Sequence, residues 1–580
     1  MKKQFDFRKM SFYQIWIRSF CDGNGDGIGD LYGVYDKLEY IKALGVDGIW
    51  FSPIYPSPNA DYGYDISDYK DIHPDYGTLE QFQKVLDRAH ELGMKVLLDL
   101  VINHTSDEHP WFIESCKGGD NPYSDYYIWR DPRFKGEEKL PPNNCYSQFE
   151  GIAWEYNEQR GQYFLHVFAK KQPDLNMDNP KVREEVKSIM RFWLDMGVDG
   201  FREDVINFIS KNPDMPDGWS FVPAINGLPF YKDGPNLHKY LKEFRAVARE
   251  YGAVQIGEAP FTTVQTALTY IGGRDRVLDM LIQFDTMMAD CFMTEYVYHG
   301  FWLRKLKSAF RKWQYGLQGK AWFALYLENH DHPRVVNRYG SLKHWKASGS
   351  MLAACYILQR GTPFLYQGQE LGMTNIALNS IDKYLDVAAK NAYHSFHLKE
   401  SVERRLERIH VSTRDSARTP VQWTGGRAAG FTTGKPWFYV NPNYTFINAE
   451  AEEKDPLSIL NFYRRCLLLR KSSETLLWGT YREYFPLSRK LFMFERKHKK
   501  DALKTERILV ICSFHAEAFS YRLPKGYDPQ RGRLILDNYI SEKDLAAGTY
   551  RRKKDAEDGG RLSAGRMRRL LPYEAQVWRF

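Results

Sequence analysis

FWLDMGVDGFRED, residues 192–204, holds the pattern from which the fold of this chain follows. Apolar residues at helical spacing are followed by Gly197 and then by a short apolar run that ends in charged residues. Glycine ends many helices because it adopts the left-handed backbone conformation without steric cost. A short apolar run after such a glycine is typical of a buried strand. The stretch therefore predicts a helix, a turn and a strand of a parallel sheet.

The same pattern recurs in three further stretches, EYIKALGVDGIWF (39–51), RAHELGMKVLLDL (88–100) and AREYGAVQIGEA (248–259). Eight candidate strands follow from this rhythm and from other short apolar runs. They lie near residues 12–17, 46–51, 95–101, 198–204, 254–258, 279–285, 322–328 and 363–367. Eight parallel strands with intervening helices predict an α/β fold of the (β/α)₈ type, a TIM barrel.

Two regions lack this repeated pattern of helix, glycine and strand, and we expect them to form further domains. The interval between the third and fourth strands is longer than one helix requires, so we expect residues 105–173 to form an inserted subdomain B. The barrel would then comprise residues 1–104 and 174–480. Short strand-like runs such as ERILVICSF (506–514) predict a C-terminal antiparallel β-sandwich domain over residues 481–580.

Composition excludes several classes of protein. Of the 580 residues, 43% are hydrophobic, which suffices for a large core. The seven cysteines include no C-x-x-C pair, which argues against a zinc site or a disulfide framework. The first residues contain no apolar run of signal-peptide length, and no long uncharged apolar segment follows. We therefore expect a soluble, cytoplasmic protein without a membrane partner.

The net charge of +8 arises mostly after residue 480. The run RRKKDAEDGGRLSAGRMRR, residues 551–569, allows two interpretations, a nucleic-acid-binding tail or a solvated loop between strands. Acidic residues are interleaved with the basic ones, which favours the loop. We expect no nucleic-acid partner, and nothing in the sequence demands more than a monomer.

CDGNGDGIGD, residues 21–30, places acidic or amide side chains between glycines, as a Ca²⁺ site requires. An EF-hand would need a glutamate at the twelfth position of the loop, which is Gly33 here. A calcium sensor is therefore not favoured. A structural cation site and a metal-free glycine-rich turn both remain open.

Polar side chains at the ends of the predicted strands are candidates for chemistry, because the active site of such a barrel lies at the carboxyl ends of its strands. These candidates are Asp99, Asn103, His104, Arg202, Asp204, Glu258, His330 and Asp331. An arginine beside an aspartate holds that carboxylate ionised, whereas crowded carboxylates raise the pKa of at least one of them. An ionised and a protonated carboxyl together are what a glycosidase uses, although salt bridges at a barrel end are an alternative.

Several longer motifs carry a specific resemblance. DLVINH (99–104), GFREDVIN (200–207), GEA (257–259) and ENHD (328–331), in that order, resemble the conserved regions of the α-amylase superfamily, glycoside hydrolase family 13. QPDLN (172–176) resembles a fifth region of that family. RDSARTPVQW (414–423) and GKPWFYVNPNY (434–444) are similar to its oligo-1,6-glucosidase branch.

The resemblance implies a role for individual residues. Asp204 would be the nucleophile, Glu258 the general acid/base and Asp331 the stabiliser of the transition state. The substrate-binding residues would be Asp61, Tyr64, His104, Phe164, Gln172, Arg202, Val205, His330 and Arg414. One structural Ca²⁺ would be bound by Asp22, Asn24, Asp26, Asp30 and the carbonyl of Ile28.

The implied activity is a retaining, exo-acting α-glucosidase that hydrolyses α-1,6 bonds in isomaltose and short isomalto-oligosaccharides. Val205, after the nucleophile, goes with α-1,6 bonds in this family, and smaller residues there go with α-1,4 bonds. A trehalose-6-phosphate hydrolase is the nearest alternative, which would need cationic side chains around the second sugar. A catalytically inactive carbohydrate-binding or transporter-associated relative is less favoured because Asp204, Glu258 and Asp331 are all present.

Overall fold

The computed structural model describes most of the chain. The described residues are 4–119, 121–149, 151–219, 225–292, 294–395, 400–500, 505–528, 531–547 and 567–580. Most of the basic run, residues 551–566, lies outside them, so the interpretation of that run stays a prediction. No helix among the described residues is both long and apolar enough to cross a membrane.

All eight predicted barrel strands are confirmed. In chain order they are β1 (Phe12–Ile15), β2 (Gly48–Phe51), β3 (Lys95–Leu100), β4 (Gly200–Glu203), β5 (Val254–Glu258), β6 (Met280–Ile282), β7 (Ala324–Leu325) and β8 (Thr362–Tyr366). They pair in parallel in the order β6-β5-β4-β3-β2-β1-β8-β7. The outer strands β6 and β7 lie against each other, and the Tyr326 hydroxyl donates to the Gln283 carbonyl at 2.8 Å, which closes the barrel.

Helices connect the strands on the outside of the barrel. The main helix after each successive strand is Leu31–Leu44, Leu79–Glu91, Pro180–Met196, Leu237–Tyr251, Val264–Ile271, Leu303–Leu317, Trp345–Ile357 and Ile459–Lys471. Shorter helices are Pro110–Cys116, Leu228–Tyr231, Val335–Tyr339, Val387–Ser395, Val402–Ser412, Ala449–Lys454, Glu474–Trp478 and Glu542–Ala547. Gly197 ends its helix with φ +112°, a left-handed conformation that glycine adopts without strain, as the sequence predicts.

Alternation along the strands separates the barrel interior from the layer beneath the helices. Phe12 of β1 faces inward and stacks on Phe364 of β8, with ring centroids 5.1 Å apart, whereas Tyr13 faces the helices. On β4 the inward side chain is Arg202, whose guanidinium lies over the Trp50 ring. Strand β4 therefore points one cation into the middle of an otherwise largely apolar interior.

Two further regions flank the barrel. The segment after β3 contains the short antiparallel strands Trp129–Arg130, Arg133–Lys135, Glu138–Leu140, Trp154–Asn157 and Gln162–Leu165. The chain after Gly479 forms a five-stranded antiparallel sheet of Thr480–Tyr484, Leu491–Lys499, Thr505–Ser513, Ala575–Arg579 and Arg533–Asp537, plus the pair Phe519–Arg522 and Met567–Leu570. The predicted boundaries of separate domains stay predictions.

A buried lysine attaches this C-terminal sheet to the barrel. Lys307, on the helix after β6, donates to the carbonyls of Phe485 at 2.6 Å and Leu491 at 3.0 Å. Burial lowers the pKa of Lys307 to about 8, and the carboxylate of Glu483 opposes that shift. The two parts of the chain are therefore joined by hydrogen bonds as well as by apolar packing.

Candidate active site

The carboxyl ends of the barrel strands surround a cavity of about 650 Å³. Asp204 follows β4, Glu258 ends β5 and Asp331 follows β7, and all three line this cavity. Parallel strands bring their carboxyl ends to the same end of a barrel, so residues distant in sequence converge here. The structure thus brings together the three carboxylates that the sequence analysis singles out.

Arg202 connects two of these carboxylates. Its Nη1 donates to Asp204 at 2.8 Å and to Asp99 at 2.6 Å, and its Nη2 contacts Glu258. The guanidinium is 1% exposed. Carboxylates bound to the two ends of one guanidinium lie close together, and a short separation of about 5–5.5 Å is typical of retaining glycosidases.

The protonation of the first carboxylate follows from burial and its neighbours. Burial raises the pKa of Asp204 to about 6, while Arg202 lowers it and Asp99 raises it further. At neutral pH Asp204 is therefore ionised, the form that a nucleophile needs. Glu258 is 4% exposed and lies at the other end of the same guanidinium.

Asp331 is held ionised from several sides. Burial opposes ionisation, but His330, Arg414 and Arg418 bring the pKa of Asp331 well below its usual value. Burial also lowers the pKa of His330 to about 4, so its imidazole is neutral at pH 7 and the two arginines supply the positive charge. Gln14 Nε2 lies 2.7 Å from His330 Nδ1, which leaves the proton on Nε2, 2.8 Å from Asp331.

Arg414 closes one side of the cavity. Its Nη2 lies 3.2 Å from Asp61 and 2.8 Å from Asp386, and its Nη1 lies 3.3 Å from Asp331. Arg418, from the same motif, donates to Asp331 at 3.2 Å. Asp61, Arg202, Asp204, Glu258, His330, Asp331 and Arg414 are called the floor of the cavity below.

Other predicted residues support this floor. The Tyr64 hydroxyl donates to Asp99 at 2.9 Å, and its ring stacks on that of His330. Gln172 Nε2 lies 3.3 Å from Asp61 and 3.2 Å from the His104 ring. Asn103 donates instead to Asp174 at 2.7 Å, away from the carboxylates of the floor.

Phe164 is not brought to the cavity. Its ring packs against Phe112 and Trp129 in the hydrophobic core of the segment after β3. Phe168, four residues later, lines the cavity and contacts the His104 ring. Sequence alone could not distinguish these two phenylalanines, because the choice depends on how the short strands turn.

Asp386 is a second residue that sequence analysis did not find. It is fully buried and binds the Arg414 guanidinium through Oδ1, at 3.0 Å from Nε and 2.8 Å from Nη2. Its stretch, KYLDVAAKN, lies outside the predicted strands and gives no periodic signal.

Another part of the cavity wall combines exposed aromatic side chains with a buried histidine. Phe261 and Phe292 are 42% and 61% exposed, and His332 Nδ1 lies 3.0 Å from Glu295. These four residues are called the rim below. All of them line the cavity, as does Val205.

Val205 has an unusual backbone conformation. Its φ is +33°, in the left-handed region that β-branched residues avoid. Strain of this kind, at about 1–3 kcal/mol, persists only where the surroundings impose it and is common at functional sites. Here it fixes the branched side chain directly after Asp204.

Glu203, which points away from the cavity, has a partner in the layer beneath the helices. Its Oε1 accepts from Gln255 Nε2 at 2.6 Å. Burial raises the pKa of Glu203 to about 7, with Gln255 and Arg245 opposing that shift. The residue therefore belongs to the barrel wall and not to the floor.

The predicted calcium loop folds on its own hydrogen bonds. Asp22 accepts from the amides of Gly25 and Gly27, both at 2.7 Å, and Asp30 accepts from those of Gly23 and Gly33. No group of three or more acidic, histidine or cysteine side chains in the described ranges is arranged to hold a metal. The carboxylate, amide and carbonyl oxygens of this loop are the kind of ligand that Ca²⁺ prefers. Calcium binding by the loop stays a prediction.

Comparisons with known proteins agree with this geometry. A family model described as the alpha amylase catalytic domain matches residues 14–479. The chain is 44% identical to an oligo-1,6-glucosidase of Parageobacillus thermoglucosidasius, over 98% of this chain and 97% of that protein. It is 40% identical to a trehalose-6-phosphate hydrolase of Bacillus subtilis, over 94% and 96%. The crystal structure of Bacillus licheniformis trehalose-6-phosphate hydrolase superposes with a TM-score of 0.88 at 38% identity, covering 99% of both chains.

Proposed function

The chain belongs to the α-amylase family of glycoside hydrolases, and from that premise we propose that it is a retaining, exo-acting α-glucosidase. Its substrates are isomaltose and short isomalto-oligosaccharides, whose α-1,6 bonds it hydrolyses at the non-reducing end. The observation that carries the proposal is the single buried guanidinium of Arg202 in contact with both Asp204 and Glu258.

The reaction proceeds in two displacements. Asp204 attacks the anomeric carbon while Glu258 protonates the departing glycosidic oxygen, which gives a covalent glucosyl-enzyme and releases the second sugar. Glu258, now ionised, takes a proton from water, and that water displaces Asp204 from the sugar.

Attack from the chain end follows from the closed floor. Arg414 is anchored by Asp61 and Asp386, so the cavity ends behind the first sugar. Asp331, held ionised, accepts hydrogen bonds from sugar hydroxyls and strengthens them as positive charge develops on the ring. A polysaccharide cannot pass through such a floor, whereas a terminal glucose fits.

The charge of the cavity argues against a phosphorylated substrate. Among the described residues that line it, the acids are Asp61, Asp204, Glu258, Asp285, Glu295 and Asp331. Arg414 is the one arginine or lysine in that set, and three aspartates already bind it. A phosphate group needs cationic donors, so an uncharged second sugar is favoured over trehalose-6-phosphate.

Preference for α-1,6 bonds rests on Val205, whose fixed side chain lies next to the bond that is cleaved. A change of one or two methyl groups there is worth about 1–3 kcal/mol, which biases the linkage without determining it alone.

We further propose that residues 22–30 bind one structural Ca²⁺ through Asp22, Asn24, Asp26, Asp30 and the Ile28 carbonyl. The metal would stiffen the loop after β1 and take no part in the two displacements. Dialysis against a chelator should lower the melting temperature, and added Ca²⁺ should restore it. Asp26→Asn should reduce the bound calcium measured by elemental analysis, while Asp36→Asn, on the exposed face of the next helix, should not. A purified protein that contains no calcium and gains no stability from it would contradict the proposal.

The substrate proposal is tested by initial rates of glucose release from isomaltose, maltose and trehalose-6-phosphate at equal concentrations. Isomaltose should be cleaved fastest, and Asp204→Asn should abolish release from all three. A clear preference for trehalose-6-phosphate would keep the mechanism and overturn the substrate. No release from any of the three would overturn both.

A further inference from the structure

A second pocket lies at the opposite end of the barrel, where β5 and β6 begin. Its volume is about 290 Å³. Four of its seven lining residues are arginines, and the lining comprises Gln4, Arg245, Arg249, Gly252, Ala253, Arg274 and Arg276. Helix Leu237–Tyr251 supplies two of the arginines and the loop before β6 the other two, so two separate elements direct cations into one small space.

One carboxylate, Asp279, is shared among the inner arginines. Arg245 donates to both of its oxygens, at 2.7 and 2.9 Å, and Arg276 lies 3.2 Å from one of them. Gln4 donates to Asp279 at 2.8 Å as well. The oxygens of Asp279 are therefore fully used, and its single charge offsets one of two arginines.

The inner arginine keeps an unused donor. Arg245 is 6% exposed, and its Nε is buried with no hydrogen-bond partner among the described residues. A buried guanidinium N–H left without an acceptor is costly, because hydrogen bonds to charged groups contribute about 1.5–3 kcal/mol. The inner wall of the pocket therefore carries a guanidinium whose hydrogen-bonding capacity is not fully used.

The outer arginines carry charges that are not compensated. Arg249 and Arg274 are exposed, and neither forms an ion pair with any residue in the described ranges. Their acidic neighbours in sequence, Glu250 and Asp275, are exposed and form none with them. The pocket as a whole is thus strongly positive, which attracts multiply charged anions.

We propose that this arginine pocket binds a phosphate group, as inorganic phosphate or as the end of a small phosphate ester. The planar fork of arginine matches the oxygens of phosphate, and several forks converging on one point favour a dianion over chloride. The volume of about 290 Å³ lies at the lower end of the range common for small-molecule sites, which suits a phosphate group with a short attached chain. The site is separate from the catalytic cavity and independent of the proposed substrate.

Isothermal titration calorimetry on the full-length enzyme tests the proposal, with inorganic phosphate and glycerol phosphate in chloride buffers of matched ionic strength. One phosphate should bind per chain and raise the melting temperature. Arg249→Gln combined with Arg274→Gln should weaken binding at least about tenfold, the loss expected from one charged hydrogen bond. Arg427→Gln is the matched control, since Arg427 is also exposed and forms no ion pair among the described residues. Both variants should release glucose from isomaltose as fast as the original enzyme.

The two ligands distinguish the sources of the phosphate group. Equal affinities would show that the phosphate alone is recognised, and tighter binding of the ester would show that the rest of the molecule also contacts the pocket. Absence of binding, equal affinity in the double variant, or an equal loss in Arg427→Gln would overturn the proposal. Competition between phosphate and isomaltose would also overturn it, because the two sites lie at opposite ends of the barrel.

Discussion

The floor and the rim of the cavity differ in their side chains: the floor is rich in ion pairs and the rim carries exposed aromatic rings. On the floor, Arg202 is buried and Arg414 is partly buried, and both bind carboxylates on several sides. On the rim, Phe261 and Phe292 are exposed, and a single pair joins His332 and Glu295. The proposed function assigns the first sugar, and the positive charge that develops on it during the reaction, to the floor, and it assigns the second sugar to the rim.

Two substrates distinguish the contribution of the floor to the reaction rate from that of the rim. α-Glucosyl fluoride fills only the floor, because its leaving group is a single atom, whereas isomaltose also places a second sugar against the rim. A change in the floor should therefore affect both substrates, and a change in the rim should affect isomaltose alone.

Loss of the nucleophile should have the largest effect. Asp204→Asn should lower kcat by at least about 10⁴-fold on both substrates, the range seen when a catalytic nucleophile is removed. Initial rates measured at saturating substrate check this expectation.

The same variant should not be less stable at pH 7. Burial raises the pKa of Asp204 to about 6, so the ionised carboxylate is held in the folded state at a cost that the amide does not incur. A large drop in melting temperature would mean that the substitution had disturbed the fold and that the rate loss said nothing about the nucleophile.

Removal of the Arg414 guanidinium should have the second largest effect on activity. Arg414→Ala removes the cation that Asp61, Asp331 and Asp386 share and leaves them only Arg418, which binds Asp331. Breaking such a largely buried pair costs about 3–5 kcal/mol. We expect kcat/KM to fall by about 10²–10³-fold on both substrates, with a lower melting temperature. If glucosyl fluoride were cleaved normally, Arg414 would not bind the first sugar.

Val205→Ala should alter the choice of linkage. The smaller side chain should raise the rate on maltose relative to isomaltose by about 10- to 100-fold, which corresponds to about 1–3 kcal/mol. The rate on glucosyl fluoride should change far less, and the ratio of the two disaccharide rates is the readout. An unchanged ratio would remove Val205 from the account of specificity.

The pH profile reports on the floor without mutation. Asp204 must be ionised to attack, and its pKa is about 6, so kcat/KM should fall about tenfold per pH unit below that value. His330 adds no step between pH 5 and 8, because burial lowers its pKa to about 4. In Asp204→Asn the residual activity should lose this acid limb. A limb centred well below pH 5 in the original enzyme would contradict the environment assigned to Asp204.

The rim variant should have the smallest effect. Glu295→Gln keeps the shape of the side chain but removes the charge that faces His332. We expect KM for isomaltose to change by less than about tenfold and the rate on glucosyl fluoride to stay the same. A loss on both substrates would show that the rim also positions the first sugar.

The sequence predicted the barrel well because helix, glycine and buried strand leave a local signal at each repeat. It also named Asp204, Glu258 and Asp331, since each lies at the end of a predicted strand or directly after it, within one of the ordered motifs. The sequence analysis missed Phe168 and Asp386, because the positions of these residues depend on how irregular segments turn. The arginine pocket leaves no motif at all, since Arg245 and Arg276 meet only through Asp279 in three dimensions.

The most direct test of the whole account is the anomeric form of the first glucose released from isomaltose. Proton NMR during the first minutes of the reaction distinguishes the α and β anomers before they interconvert in water. Two displacements at Asp204 and Glu258 predict that α-glucose appears first. β-Glucose as the first product would show a single displacement by water and contradict the assignment of Asp204 as nucleophile.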